Sequence, residues 1–279
     1  MMTLPGDFQF SQGSLQDLVD CKRRFQLRYL LQIAWPAVPA EPYLENEQHL
    51  RLGALFHLMA QQHTLGVDEA RLTAMASEEP LAGWWQNFMQ QRPALEGTLF
   101  PEAVLTTPFG QSGQRRLLAK MDLVAVSDGR ATIYDWKTSR HRPPRTWLAD
   151  RLQTRVYPYL LVQAGAELNS GQPFTPEQVE MVYWFAGFPD RPERFIYDAQ
   201  RYAEDGAYLT GLLDQAATLS MSDEPFPLTP DESKCRFCVY RSLCNRGIAA
   251  GDVNELDFDD PEPMVEFDLD FEQVAEVDY

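Results

Sequence analysis

Apolar positions at helical and at alternating spacing divide this chain into a readable order of elements. Leu15, Leu18, Val19 and Phe25 recur at helical intervals and predict a helix over 14–31, opened by Ser14 with Asp17 three residues later as a capping box. The proline-rich stretch WPAVPAEP ends it. A second helix is predicted over 47–64, and two shorter ones within 68–92, limited by Pro80 and Pro93. Alternation then takes over in TLFPEAVLT (98–106), RRLLAKMDLVAV (115–126) and RATIYDWKT (130–138). The turn sequences GQSG and SDG separate these runs and predict an antiparallel meander. An amphipathic helix follows over 146–166, then a strand pair, VEMVYWFAGF and ERFIYDA, around PDRP, and a helix over 199–219. Helices, three strands, a helix, strands and a helix make an α/β domain with helical additions. No internal repeat is visible.

Charge changes this picture at one end. The net charge of −17 would by itself argue against a polyanionic partner, but 12 of the 41 acids and none of the 24 Lys and Arg fall in 252–279, so the rest of the chain stands at −5. The body, about 1–250, is expected to form a single domain, and 251–279 an acidic, flexible tail. Its alternation of acids with Val, Phe and Leu would also suit docking on a partner or on a basic groove of the same chain. No apolar run reaches about 18 residues and the start lacks the basic and apolar regions of a signal peptide, so a cytoplasmic protein with no membrane partner is expected.

Chemistry concentrates in TIYDWKTSR. Residues i and i+2 of a strand share a face, so Asp135 and Lys137 project together, with Tyr134 and Trp136 on the other side. Asp122 sits as a single acid in the preceding strand, and pairing across SDG would let Asp122 and Asp135 converge on one hard cation such as Mg²⁺ or Mn²⁺. A lysine beside it can orient a water and offset charge on a transferring phosphoryl group. Taken alone, D-x-K is also an ordinary strand-end salt bridge. Gln153 and Tyr157 are i, i+4 neighbours on the next helix. His57 lies in GALFHLMA with Gly53 and Ala54 on its face, and a lone helical His is more often structural.

Cys21 stands near the start, and Cys235, Cys238 and Cys244 follow at C-x2-C-x5-C spacing. In a reducing compartment this spacing favours a metal or cluster site over disulfides, with zinc and [4Fe-4S] both open.

In this order the elements resemble the PD-(D/E)XK nuclease superfamily, in its RecB-type branch with an iron-sulfur cluster, which includes CRISPR-associated and AddB-like nucleases. The resemblance is carried by Gly53 to His57, Asp122 in KMDLV, Asp135-Trp136-Lys137-Thr138, Gln153 to Tyr157 and the four cysteines, over about 8–247. It implies a restriction-endonuclease-like core with a central mixed sheet flanked by helices, plus helical additions and a cysteine-rich cluster segment over 235–244. It further implies that His57, Asp122, Asp135 and the Trp136 carbonyl bind Mg²⁺ or Mn²⁺. Lys137 would serve water and transition state, and Gln153 and Tyr157 would contact DNA or shape the site. All four cysteines would hold a [4Fe-4S] cluster, with Zn²⁺ as the alternative, stapling the two ends of the domain. Residues 66–98 are longer than compact members need, and the acidic tail lies outside the pattern. Glu102 is a candidate auxiliary acid.

Basic residues cluster beside the site. Arg140, Arg142, Arg145, Arg151 and Arg155 are expected to bind DNA, and Arg115, Arg116, Lys22, Arg23, Arg24 and Arg28 to extend that surface. The expected activity is a deoxyribonuclease, an exonuclease on single-stranded DNA or DNA ends in recombination, repair or CRISPR adaptation, with a helicase or CRISPR adaptation partner. The rival reading is a non-catalytic, nuclease-like DNA-binding subunit that partners a helicase. No G-x4-GK[ST] loop occurs in the sequence, so an unwinding motor would be a separate chain.

Overall fold

The computed structural model describes residues 4, 8–33, 41–109, 115–221, 224–249 and 251. The acidic tail over 252–279 and the GQSG turn therefore lie outside the described residues. The chain opens with β1 (Gln9–Ser11), α1 (Gln12–Asp20) and α2 (Lys22–Phe25), continued by a wide π turn, Gln26–Leu30. Then come α3 (Glu41–Thr64), α4 (Glu69–Met75) and α5 (Leu81–Gln91), and the meander β2 (Thr98–Phe109), β3 (Arg115–Ser127) and β4 (Arg130–Lys137). Helices α6 (Arg145–Asp150) and α7 (Leu152–Ala164) lead to β5 (Val179–Phe185), β6 (Glu193–Ile196) and α8 (Ala199–Ser220).

The six strands form one mixed sheet, as the α/β reading expects: β2, β3 and β4 are antiparallel, β4 and β5 parallel, β5 and β6 antiparallel. β5 reads VEMVYWF because helices cover it on both sides. Pro101 and Pro108 are tolerated in β2 because, among the described residues, it pairs with β3 alone.

Strand β3 has the topology that makes the site. β2 runs along one edge, while the other is shared by β1, paired at Gln9–Arg116 to Ser11–Leu118, and β4, paired from Leu123–Tyr134 to Ser127–Arg130. Between Leu118 and Leu123 that edge opens, and Asp122 stands in the gap. Side-chain alternation also slips there: Met121 and Val124 enter the same core, although strict period-two alternation puts them on opposite faces.

Two apolar layers sandwich the sheet. On one face Leu15, Leu18, Val156, Leu160 and Leu209 of α1, α7 and α8 pack on Leu117, Val124, Ile133 and Met181. On the other, Phe56 of α3 and Trp84, Trp85 and Phe88 of α5 pack on Leu123, Tyr134, Trp136 and Trp184. Residues 66–98 thus form the lid of a second core, not an appendage. Burying aromatics of this size contributes about 2 kcal/mol each.

Three local expectations need correction. The capping box at the first helix is Ser11 with Ser14: each hydroxyl accepts the other's backbone N–H, at 3.2 and 2.9 Å. Asp17, expected to be the capping acid, is fully buried and ion-paired with Arg24 and Arg28. The expected continuous helix over 14–31 breaks at Cys21, whose backbone is extended (φ −159°, ψ 108°). The expected helix over 146–166 is two, divided at Arg151 (φ −68°, ψ 142°). No alternating run announces three-residue β1, and the sequence pattern misses it.

Candidate active site

Helix α3 meets the end of β4 along one face, with contacts four residues apart. His49 Nε2 donates to the Thr138 carbonyl at 2.9 Å. One turn on, Gly53 lies so close to Thr138 that a Cβ would stand 2.8 Å from its Oγ1. One turn further, His57 Nδ1 lies 3.2 Å from Asp122 Oδ1. Glycine at position 53 spares Thr138 that contact and eases the approach of the helix that carries His57 to the end of the strand that carries Lys137. His49 and Thr138 went unnoticed in the sequence pattern, although His49, Gly53 and His57 fall at i, i+4 and i+8.

The two strands supply the acids. Continuing the β3–β4 register one step past Leu123–Tyr134 brings Asp122 opposite Asp135. The ladder stops there because Asp122 Oδ2 takes the Trp136 N–H at 2.8 Å in place of a backbone carbonyl. Asp135 is almost fully buried, and Lys137 Nζ lies 2.9 Å from its Oδ2, as the shared strand face predicts. Gln153 completes a ring: its amide donates to Asp135 Oδ1, and its Oε1 accepts from Lys137 Nζ at 3.0 Å. Tyr157, one turn along α7, is buried, and the Lys137 ammonium sits 5.5 Å from the Tyr183 ring centroid.

Electrostatics ties these groups into one cluster. Burial draws the His57 pKa down, but Asp122, with a contribution from Asp135, outweighs it and leaves the imidazole above its ordinary value. Burial pushes Asp122 up, and His57, the Trp136 N–H and Lys137 together hold it below the usual carboxylate range. Tyr157 is raised well above a normal phenol, by burial first and then by Asp135 and Asp122, and it stays neutral. His57, Asp122, Asp135, Lys137, Gln153 and Tyr157 are thus brought together. Among the described residues no three His, Cys, Asp or Glu side chains are drawn close enough to hold an ion as they stand. The carboxylates instead satisfy His57, Lys137, Gln153 and the Trp136 N–H. One imidazole, two carboxylates and the adjacent Trp136 carbonyl are nonetheless the donor chemistry that a hard divalent cation takes.

Glu102 is not part of this cluster. Its backbone is left-handed (φ 55°) and its carboxylate pairs with Lys120.

Part of the predicted basic surface is engaged in ion pairs. Arg142 and Arg145 both pair with Glu193, Arg145 at 2.7 Å, and Arg155 pairs at 2.6 Å with the fully buried Asp205. Arg24 and Arg28 pair with Asp17. Arg140 lies close enough to depress the His49 pKa, and the Arg151 guanidinium lies 4.6 Å from the Trp147 ring centroid.

Cys21, Cys235, Cys238 and Cys244 line a common pocket, although more than two hundred residues separate the first from the rest. Arg24, Lys234, Arg241 and Arg246 line it too, and Arg246 Nη1 lies 3.7 Å from Cys235 Sγ. Burial pushes the Cys238 thiol up to about 11, with Cys21 and Cys244 adding to the rise. Four thiols facing one pocket lined by four cations, three of them also paired with carboxylates, are a donor set whose chemistry fits a thiolate-bound metal group. Tyr240 OH donates to Ile33 O at 2.9 Å, and the buried Gln26 accepts the Phe226 N–H at 2.9 Å, so the segment is fastened to the N-terminal elements by hydrogen bonds as well.

A sequence model of the PD-(D/E)XK nuclease superfamily matches residues 9–245. Over 132 residues, 46% of this chain, the sequence is 30% identical to the CRISPR-associated exonuclease Cas4/endonuclease Cas1 fusion of Myxococcus xanthus strain DK1622. The match covers 21% of that fusion, so this chain corresponds to about a fifth of its relative. A solved Eubacterium rectale structure, provisionally named an exonuclease, covers 87% of this chain and 90% of its own, with a TM-score of 0.47 and 11% identity. With the family model matching from β1 to just past the last cysteine, the chain belongs to the PD-(D/E)XK nuclease superfamily.

Proposed function

We propose that this protein is a metal-dependent deoxyribonuclease that hydrolyses phosphodiester bonds, acting as an exonuclease on single-stranded DNA or DNA ends. The observation that carries the reading is the single contact network of His57, Asp122, Asp135, Lys137 and Gln153 where β3 and β4 part. His57, Asp122, Asp135 and the Trp136 carbonyl are the groups that would hold Mg²⁺ or Mn²⁺. A divalent cation held there acidifies water and offsets charge on a phosphate. Lys137 orients the attacking water and stabilises the anionic transition state, Gln153 holds Lys137 and Asp135 in register, and neutral Tyr157 closes the apolar wall behind them.

Residues 1–250 act as one domain, and the four cysteines would hold a [4Fe-4S] cluster. A DNA substrate would pass Arg140 and Arg151, while Arg142, Arg145 and Arg155 shape that surface through their carboxylate partners. Similarity to the Cas4/Cas1 fusion supports a CRISPR adaptation partner over a helicase. Among the described residues no helix is long and apolar enough to cross a membrane.

The test is hydrolysis of end-labelled single- and double-stranded DNA with Mn²⁺ or Mg²⁺, using anaerobically purified wild type beside Lys137→Ala, with visible spectra of both. Brown protein whose cutting vanishes in the variant supports nuclease and cluster together. Colourless, zinc-containing protein replaces the cluster with zinc. Protein that binds DNA and cuts it with neither metal is a non-catalytic DNA-binding subunit.

A further inference from the structure

Helix α7 carries Gln153, the side chain that joins Asp135 to Lys137, yet its first turn has no cap of its own. Its N-cap residue, Arg151, makes no side-chain capping bond. Leu152, the first helical residue, is 1% exposed, so its N–H has no access to water. The partner comes from 136 residues away: Gln16 Oε1 on α1 accepts that N–H at 3.3 Å. Gln16 is itself buried and held from its other end, with Nε2 donating to Asp20 Oδ1 at 3.2 Å. Asp20 is buried too, and the same Oδ1 lies 3.2 Å from Lys234 Nζ, while its Oδ2 pairs with Arg24 at 3.0 Å. Lys234 and Arg24 both line the pocket of the four cysteines.

We propose that Gln16 is a positioning residue for the nuclease site, and that the chain Lys234–Asp20–Gln16–Leu152 ties the cysteine segment to the start of the helix that holds Gln153. The catalytic part of this inference rests on the nuclease reading above; the mechanical part does not. Each link is a direct polar contact, and three of the four residues are buried, so movement of the cysteine segment is passed to Gln153 without crossing solvent. Such a connection becomes coupling only if disturbing one end changes the other.

Amide hydrogen exchange of the full chain measures that change directly, in wild type, Gln16→Leu, Lys234→Met and the double variant. Leucine matches glutamine closely in size and removes both polar contacts, while Lys234→Met breaks only the outermost contact and leaves the buried part intact should Gln16→Leu fail to fold. Expected is exchange over 151–155 about tenfold faster in Gln16→Leu and several-fold faster in Lys234→Met, with β5 unchanged as the control for local opening. The double variant should be no faster than Gln16→Leu, because both substitutions cut one chain of contacts. On labelled DNA, Gln16→Leu should lower kcat about tenfold with KM within about twofold, the mark of a misplaced catalytic group. Unchanged exchange over 151–155 in both single variants would overturn the connection. Wild-type protein that cuts no DNA would instead overturn the nuclease reading, and exchange would still decide whether the two ends are joined.

Discussion

The Asp122 carboxylate takes the backbone N–H of Trp136 through Oδ2 at 2.8 Å while its other oxygen faces His57 at 3.2 Å. One side chain thereby ends a β ladder and supplies a charge at the opening it creates. Structural and electrostatic roles separate on substitution. Asp122→Asn keeps an acceptor for the Trp136 N–H and loses only the charge facing His57, so it should destabilise less than removal of the whole side chain, whereas DNA cleavage should fall by about 10³ through loss of the charge. Asp122→Ala should lose the same activity and, in addition, on the order of 1–2 kcal/mol for the N–H left without its partner. Cleavage by the Asn variant at wild-type rate would remove Asp122 from the chemistry.

Gly53 and Thr138 form a pair whose cost can be isolated. A Cβ at position 53 would meet Thr138 Oγ1 at 2.8 Å, but Thr138 Cβ only at 3.8 Å, which is ordinary contact. Gly53→Ala should therefore destabilise the wild type or leave it unchanged, because the helix gain of about 1 kcal/mol is cancelled by the clash. In a Thr138→Ala background the same change should stabilise by roughly that amount. A double-mutant cycle by chemical denaturation reads the difference, and additivity would mean that the close approach is absent in solution.

The arginines should differ in what their removal changes. Arg155→Ala leaves the fully buried Asp205 with only Tyr197 OH, at 3.1 Å, of the two hydrogen bonds it makes here, and should cost on the order of 3 kcal/mol. Its effect on DNA affinity should follow from that loss of stability. Arg140→Ala and Arg151→Ala should weaken DNA binding and each reduce the dependence of log affinity on log salt by about 1. Binding at several salt concentrations checks this, and an unaltered slope in both variants would move the DNA path elsewhere.

Much of the site was readable in the sequence because its parts are local. Asp135 and Lys137 share a strand face by period two, Gln153 and Tyr157 share a helix face, and the cysteine spacing is unusual enough to stand out from composition. What the sequence hid depends on contacts that no spacing encodes. Asp17 looks like a capping acid until Arg24 and Arg28 return to it, and Ser11 caps the helix only because β1 has placed it beside β3. The arginines read as a basic surface because Glu193 and Asp205, which neutralise three of them, come some fifty residues later. The two-face burial of the sheet was equally hidden: helices over 66–98 look like an insertion until Trp84, Trp85 and Phe88 are seen covering β3, β4 and β5.

His49 supports the strand end that carries Lys137, and it does so as a neutral ring. Its Nε2–H donates to the Thr138 carbonyl, its ring lies edge-on to Trp84, and both burial and the charge of Arg140 hold its pKa below the ordinary value. The sign follows from proton linkage. Above about pH 6.5 the ring is neutral whether folded or unfolded; below it the unfolded chain takes up a proton that the folded chain resists. The contribution of His49 to stability should therefore decline as pH falls from about 6.5 through the lowered folded pKa, and level off beneath it. His49→Gln retains a donor for Thr138 and has no proton to gain. Urea midpoints at pH 8, 6.5 and 5.5 should show the wild type losing more stability than the variant between the last two, even if the variant is the less stable protein at pH 8. Identical slopes would mean that the imidazole is charged without penalty, and that its contact with the carbonyl beyond Lys137 is not the buried one described.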